Sequence, residues 1–510
     1  MTELPKGWAK CVLSDLAEWS SGGTPSRGNK AFFGGDIPWV KTGELSQKYI
    51  WDTEEKLTAL GLEKSSAKVC PAGSVGIAMY GATIGKVSIW RIDAATNQAC
   101  AVAQPFAGVT ETNFLYHFLR SEKDAFVKKG KGGAQPNISQ GLLKDWPVCL
   151  PPLNEQSRIV EKIEAMFERI DKGVENLRGA KVALALYRQS LLKSAFEGKL
   201  TADWRAQNAD KLEPPKTLLA RIQKERETRY KSALDDWQTA LAEWRAGCEV
   251  GRKPGKPSRP RDMTAKAVDM GLLGWATIPL GLMIDTPAYG TSKKCDYNGG
   301  THGVLRIPNV GSGRIDATDL KSANFDEGEI EQYSLMEGDI LTVRSNGSLS
   351  AVGKPAIISA KDVGYLFAGY LIRLRAIPGS LVPQYLANLM TEPHIRGQIE
   401  EKAKSTSGIN NISAKELQDL NVPVCSPAEQ AEITRILDTR LTAADRMEAE
   451  IDAALSRADA LRQSILKRAF AGNLVPQDPT DEPAPTLLAR IKAERAKAGK
   501  TKPRKTAHAG

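Results

Sequence analysis

Few residue patterns in this 510-residue chain could carry chemistry, and each fails a requirement of the chemistry it suggests. A P-loop that cradles phosphate needs four residues between its glycines and a hydroxyl after the lysine. Gly81-Ala-Thr-Ile-Gly85-Lys86-Val87 has three residues there and a valine. Methyl transfer to an exocyclic base amine calls for Asn or Asp, two prolines and an aromatic ring in succession. Pro151-Pro152-Leu153 and Pro214-Pro215-Lys216 have neither the polar lead nor the ring. The four histidines, His117, His302, His394 and His508, are scattered, and the seven cysteines form no CxxC pair. Zinc knuckles, disulfide frameworks and His-based triads are thereby excluded. Acidic pairs such as Asp326-Glu327 and Asp235-Asp236 read as solvated faces. The chain reads as non-catalytic, with no metal site and no cofactor of its own.

The net charge does not make the whole surface a polyanion-binding one. Seventy basic against sixty acidic side chains give a net +10. Two segments hold that excess: Gly251 to Asp262, with five basic residues and one acidic, and Arg490 to Gly510, with eight and one. Both read as solvated tails, with non-specific phosphate contact as the functional alternative. The most hydrophobic stretch, Gly271 to Ile284, is broken by Gly274, Thr277, Pro279 and Gly281 and is too short to cross a bilayer. Met1 to Lys10 lacks a basic segment followed by an apolar run, so the expectation is a cytoplasmic protein without membrane contact.

The elements that must position any binding residue come in two copies. Gln189-Ser-Leu-Leu-Lys-Ser-Ala-Phe-Glu-Gly-Lys-Leu200 matches Gln463-Ser-Ile-Leu-Lys-Arg-Ala-Phe-Ala-Gly-Asn-Leu474 at an offset of 274 residues. That offset also pairs Asn137-Ile-Ser139 with Asn411-Ile-Ser413 and Glu155-Gln156 with Glu429-Gln430. Weaker matches pair Gly23-Thr24 with Gly290-Thr291, Ile37-Pro-Trp-Val40 with Ile307-Pro-Asn-Val310, and Gly85-Lys86 with Gly353-Lys354. A period this long is a duplicated domain.

Each copy opens with short β-branched runs between Gly, Pro and Asn turns, such as Lys86 to Trp90 and Asp339 to Val343, and a few helical stretches. A Pro-rich stop follows, then some 45 residues without Pro that read as one long helix. Ile163, Ile170, Leu177, Leu184 and Leu191 fall seven apart, as do Leu437, Ala444, Ile451, Ala458 and Ile465, which is one seam of a coiled coil. The companion seam is mixed, with Lys181, Arg188, Glu448 and Arg462 among its members. Forty residues make a rod of roughly 60 Å. The expected fold is α+β: two similar mixed α/β recognition domains separated by two long antiparallel coiled-coil helices, with pseudo-two-fold duplication. The expected division is 1–152, a first recognition domain; 153–200, a long helix; 201–262, a helical extension and basic linker; 263–425, a second recognition domain; 426–475, the second long helix; and 476–510, a basic tail. Trp237 and Trp244, seven apart, share a face of the extension.

The blocks Pro151-Pro-Leu-Asn-Glu-Gln-Ser-Arg-Ile159 and Ser426-Pro-Ala-Glu-Gln-Ala-Glu-Ile433, each followed by its Gln-Ser block, resemble the two conserved regions of the specificity subunit of type I restriction-modification enzymes. Gly22-Gly-Thr-Pro-Ser26 with Ile37 to Gly43 resembles the start of a target recognition domain. The resemblance covers nearly the whole chain. It implies a non-catalytic subunit that reads a bipartite, asymmetric double-stranded DNA sequence, one half-site per domain. It also implies that the helices act as ruler and as docking surface for two methyltransferase subunits, with restriction subunits completing the complex. S-adenosylmethionine, ATP and Mg2+ would be used by those partners. A scaffold binding RNA or protein, and a DNA-modifying enzyme with unfamiliar motifs, are the competing readings.

Arg, Lys, Asn and Gln on loops can reach base edges, and Lys near glycine can hold phosphate. The candidate DNA contacts are Arg27, Lys41, Lys86, Gln135 and Asn137 in the first domain, and Lys293, Lys294, Asn309, Arg344, Asn346 and Asn411 in the second. Asn137 and Asn411 fit a turn or cap equally well. The candidate partner-binding positions are the seam residues Ile163, Ile170, Leu177, Leu184, Leu191, Leu437, Ile451 and Ile465.

Overall fold

A computed structural model of the chain describes residues 4–130, 137–247, 253–257, 259–261, 268–311, 313–404 and 408–499. The chain divides into two compact units, residues 1–179 with 451–510, and residues 180–450. Both long helices cross that division: the first runs Leu153–Phe196 and the second Pro427–Phe470.

The units repeat one topology. In the first, a five-stranded sheet runs Ala17–Ser21, Cys100–Pro105, Val75–Ala78, Val87–Trp90, Tyr49–Ile50. In the second, the order is Ala288–Tyr289, Leu371–Leu374, Ile340–Val343, Pro355–Ile357, Gly313–Arg314. Only the last pair in each sheet is parallel. Val75–Ala78 and Ile340–Val343 are buried throughout, as apolar runs in the middle of a covered sheet must be. A three-stranded sheet flanks each: Lys56–Leu57, Phe33–Val40, Ala95–Thr96 in the first unit, and Lys321–Ala323, His302–Leu305, Leu366–Phe367 in the second.

These ladders correct two of the sequence matches. Gly23 N–H donates to Thr96 O and Thr291 N–H donates to Phe367 O, so Thr291 is the counterpart of Gly23 and Gly290 that of Gly22. A Cβ on Gly22 would stand 2.1 Å from Thr96 O and one on Gly290 would stand 2.2 Å from Phe367 O, so the close approach demands glycine at both. Likewise Val40 pairs with Thr96 and Leu305 with Phe367, which places Ile37–Val40 over His302–Leu305 and not over Ile307–Val310.

Within each unit the long helices run side by side and antiparallel, their mixed seam filled by ion pairs. Arg188 reaches Asp445 at 2.7 Å and also Glu448, which Lys181 approaches at 3.5 Å, while Arg462 pairs with Asp171 in the other unit. Gly198 and Gly472 end the helices with φ of +71° and +74°, the left-handed region that glycine enters freely.

Each basic segment adjoins packed structure among the described residues. The basic tail begins as a helix, Ala484–Gly499, whose Ala484, Leu487 and Leu488 are buried in the first unit and whose Lys492 meets Asp15 at 3.2 Å. Apolar side chains spaced along one face dock it despite its charge. The linker is docked with its cations exposed: residues 253–257 and 259–261 lie along the extension helix Pro215–Ala246.

Candidate nucleic-acid interface

Five cations of the second unit line one groove of about 970 Å³: Lys293, Lys294, Arg306, Lys321 and Arg344, with no carboxylate among the lining residues. Most are held from behind. Lys293 Nζ donates to Asn324 O at 2.8 Å and to Glu329 at 2.6 Å and stands over Phe325, which pulls the Glu329 carboxyl below its usual range. Arg306 meets Asp319 at 3.1 Å, and Lys321 lies over Tyr297. Two are left to the groove. Lys294 is exposed and has no ion pair among the described residues. Arg344 stacks 4.7 Å from the Tyr289 ring, its NH1 reaches Gly369 O only at 3.4 Å, and its Nε is buried with no hydrogen-bond partner. Tyr370 and Ile409, 65% and 61% exposed, add ring and aliphatic surface to the same wall. Positive charge, a free guanidinium fork and exposed rings are what phosphates and base edges require.

Asn411 also lines the groove, exposed, on a short strand where it pairs with Ser345. Asn346 lies on the neighbouring strand and is turned inward on its own loop, its Oδ1 accepting Ser348 N–H at 2.9 Å. Asn309 does not face the groove. It is fully buried; its Oδ1 accepts Arg306 N–H at 2.8 Å and its Nδ2 donates to Asp316 O and Asp319 O. It caps a single turn and has no bond left for a base, so its assignment as a DNA contact is withdrawn. The missed signal is the spacing: Lys41 and Glu44 make the same N–H to side-chain bond at 2.6 Å in the first unit.

The first unit places its candidates differently. Arg27 pairs with Glu55 at 2.6 Å and stands over Phe33 and Trp39. Lys41 is held by Glu54 and Glu55 at 2.9 and 3.1 Å, which raises its pKa. Both cations therefore share one carboxylate. Lys86 is half-buried without an ion pair among the described residues. Asn137 is exposed and bridges to Tyr80, and Gln135 lies outside the described residues. The hydrogen bonds Ile138 N–H to Met79 O and Ile412 N–H to Arg344 O make Met79 the counterpart of Arg344. One unit has a buried thioether at this position and the other a groove-lining guanidinium, so the two surfaces differ in chemistry.

Comparison with known proteins agrees with this construction. The family model described as "Type I restriction modification DNA specificity domain" matches residues 5–177. The specificity subunit of the type I restriction enzyme EcoKI of Escherichia coli is 26% identical, with 98% of this chain and 97% of that protein covered. The StySPI specificity subunit of Salmonella potsdam is 24% identical over the same shares. Over nearly its whole length the chain is similar to specificity subunits of type I restriction enzymes, and residues 5–177 match their DNA specificity domain. Its fold is also similar to that of solved chains. A chain from a study of complex assembly and conformational transition of the type I R-M system aligns with a TM-score of 0.63 at 19% identity, covering 93% of this chain and 100% of that one. The HsdS subunit from Thermoanaerobacter tengcongensis gives 0.50 at 18% identity, with 92% and 98% covered.

In this chain the repeated Glu-Gln pair at the start of each long helix stitches the helix to the globular part of its unit. Gln156, fully buried, accepts Glu111 N–H at 2.9 Å and donates to Val109 O and Pro151 O at 2.9 and 3.2 Å. Gln430 accepts Val382 N–H at 2.8 Å and donates to Ser380 O and Cys425 O at 3.1 and 2.9 Å. Glu155 accepts Trp8 Nε1–H at 3.0 Å, whereas Glu429 takes Arg205 at 2.8 Å and Thr201 Oγ1–H at 2.7 Å. The repeated Asn-Ile-Ser works the same way: Ile138 and Ile412 are core, and Ser139 and Ser413 cap short helices.

The seam residues are not a docking surface. Ile163, Leu191, Leu437 and Ile465 are buried, and Ile170, Leu177, Leu184 and Ile451 half-buried, within the subunit's own packing. Heptad positions face the companion helix, so an outside partner finds other residues. Val182, Leu186 and Tyr187, 63%, 61% and 43% exposed, are large hydrophobic side chains that the first helix leaves uncovered in the second unit.

Proposed function

We propose that this chain is a specificity subunit that reads a bipartite, asymmetric DNA sequence, each unit reading one half-site, for a methyltransferase and restriction subunits that it does not itself replace. In the second unit, Arg344 and Lys294 reach base edges and phosphate from the groove, with Asn411 beside them. In the first, Arg27, Lys41, Lys86 and Asn137 surround the equivalent surface. Lys293 holds the groove's shape from behind, and Asn346 orders the loop next to Asn411. Methyltransferase subunits dock on exposed helix surface that includes Val182 and Leu186, and they bring S-adenosylmethionine; ATP and Mg2+ serve the restriction subunits. The observation that carries this reading is the acid-free, five-cation groove whose central Arg344 is replaced by buried Met79 at the matching position of the first unit. Co-expression with the methyltransferase partner followed by methylation-aware sequencing tests it. A split motif with two unlike halves is expected; methylation without sequence preference overturns the reading.

A further inference from the structure

In the linker a cation precedes a proline every third residue: Lys253-Pro254, Lys256-Pro257, Arg259-Pro260. A residue before proline is held extended, and a polyproline II helix has three residues per turn, so this spacing sends prolines to one edge and cations to another. In the structure the three prolines are half-buried and the three cations exposed. The segment runs antiparallel to the extension helix. Lys253 Nζ stands 5.9 Å from the Trp244 ring and Lys256 Nζ 5.7 Å from the Trp237 ring. Trp237 Nε1–H donates to Pro254 O at 3.0 Å, and Pro257 and Pro260 settle among Arg226, Arg229 and Tyr230. The pitches match: seven helical residues between the tryptophans rise about 10.5 Å, and three polyproline residues about 9.3 Å.

The strap is also tied at its end. Arg229 makes a two-bond pair with Asp285 at 2.9 and 3.2 Å, and Arg261 meets Asp419 at 2.6 Å, both on the second recognition domain. Two further cations of the extension helix, Arg221 and Lys231, are likewise neutralised, by Glu213 and Glu227. Lys253, Lys256 and Arg259 have no carboxylate partner among the described residues. Three uncompensated charges thus sit on a docked rail, one per about three base pairs of axial rise, with little ordering left to be done on binding.

We propose that the strap is a second, sequence-independent DNA-binding site that takes the phosphodiester backbone, separate from the base-reading groove. This rests on the reading of the chain as a DNA-recognition subunit. The test uses the full chain and a duplex without the target sequence, with affinity measured against salt. Replacing all three cations (K253Q, K256Q, R259Q) lowers the log–log slope by about 2.7, at about 0.9 per phosphate contact, so that doubling the salt weakens wild type about sixfold more than the variant. Trp237→Leu with Trp244→Leu frees the rail but keeps its charges; the slope is then retained while affinity falls a few-fold. The methylated sequence stays the same in both variants. An unchanged slope in the triple variant overturns the proposal, and if methyltransferase assembly is lost instead, the strap belongs to a protein contact. Those results leave the wild-type split methylation motif intact, whereas failure of the functional reading removes it.

Discussion

Replacing Gln156 or Gln430 by leucine tests how firmly each recognition domain is stitched to its helix. Leucine is close to glutamine in volume, so no cavity opens, but three backbone groups in each unit lose their partner: Glu111 N–H with Val109 O and Pro151 O, or Val382 N–H with Ser380 O and Cys425 O. An orphaned buried N–H costs about 2 kcal/mol and each orphaned carbonyl about 1.5 kcal/mol. Burying leucine returns about 2 kcal/mol, leaving about 3 kcal/mol, or roughly a 150-fold rise in the opened population. Native-state hydrogen exchange read by mass spectrometry reports this at the amides themselves. Gln156→Leu is expected to deprotect the Glu111 region and leave Val382 unchanged, and Gln430→Leu the reverse. Loss of less than about 1 kcal/mol at the near amide, or equal loss at the far one, would refute the claim that these glutamines act as independent local stitches.

Arg344→Gln removes the free guanidinium from the groove, and about 1–3 kcal/mol of discrimination at one base pair goes with it. Methylation sequencing should show one relaxed position in a single half-site and the other half unchanged. Glu164, on the first long helix, faces Lys48 and stands 3.5 Å from buried His117, and these neighbours hold its carboxyl down to about 2. A lowered folded pKa contributes stability above the usual value near 4.5 that disappears as pH falls toward 2. With the carboxylate 43% exposed, screening limits this to about 1 kcal/mol, so Glu164→Gln should destabilise at pH 6 and converge with wild type near pH 2 in urea titrations. Four residues inserted into each long helix add about 6 Å of rise. The gap between half-sites should then widen by about two base pairs, at about 3.4 Å each, with both half-sites keeping their sequence.

What could be read from the sequence depended on whether a residue's type fixes its role. Gly198 and Gly472 at equal offsets in matching blocks announce helix ends, because a left-handed residue is needed there and glycine supplies it. The mixed companion seam is legible for a similar reason: Arg188, Glu448 and Arg462 at coiled-coil positions find partners across the pair. Asparagine carries no such unique meaning. Asn309 and Asn411 look alike as letters, yet one caps a buried turn and the other lines a groove. The Gly23-Thr24 and Ile37–Val40 matches failed because short dipeptides recur by chance, while register is set by ladder hydrogen bonds that no local string records. The strap was hidden by its composition. Lys, Gly and Pro read as solvated linker until the period of three is set beside two tryptophans seven apart.

The repeats differ and agree at positions that follow from division of labour. Gln156 and Gln430 meet the same kinds of backbone group in the same places, so the attachment of domain to helix has one solution used twice. Met79 and Arg344 also occupy one backbone position, fixed by the same hydrogen bond from the following isoleucine, but one side chain enters the core and the other lines the groove. Backbone geometry is therefore held constant while the side chain at this position, and whether it reaches the surface, changes. The glutamine bonds are the same in both units although the groove residues differ. Exchange of residues 1–150 for those of another specificity subunit, with Glu155 and Gln156 retained, is expected to change one half-site alone.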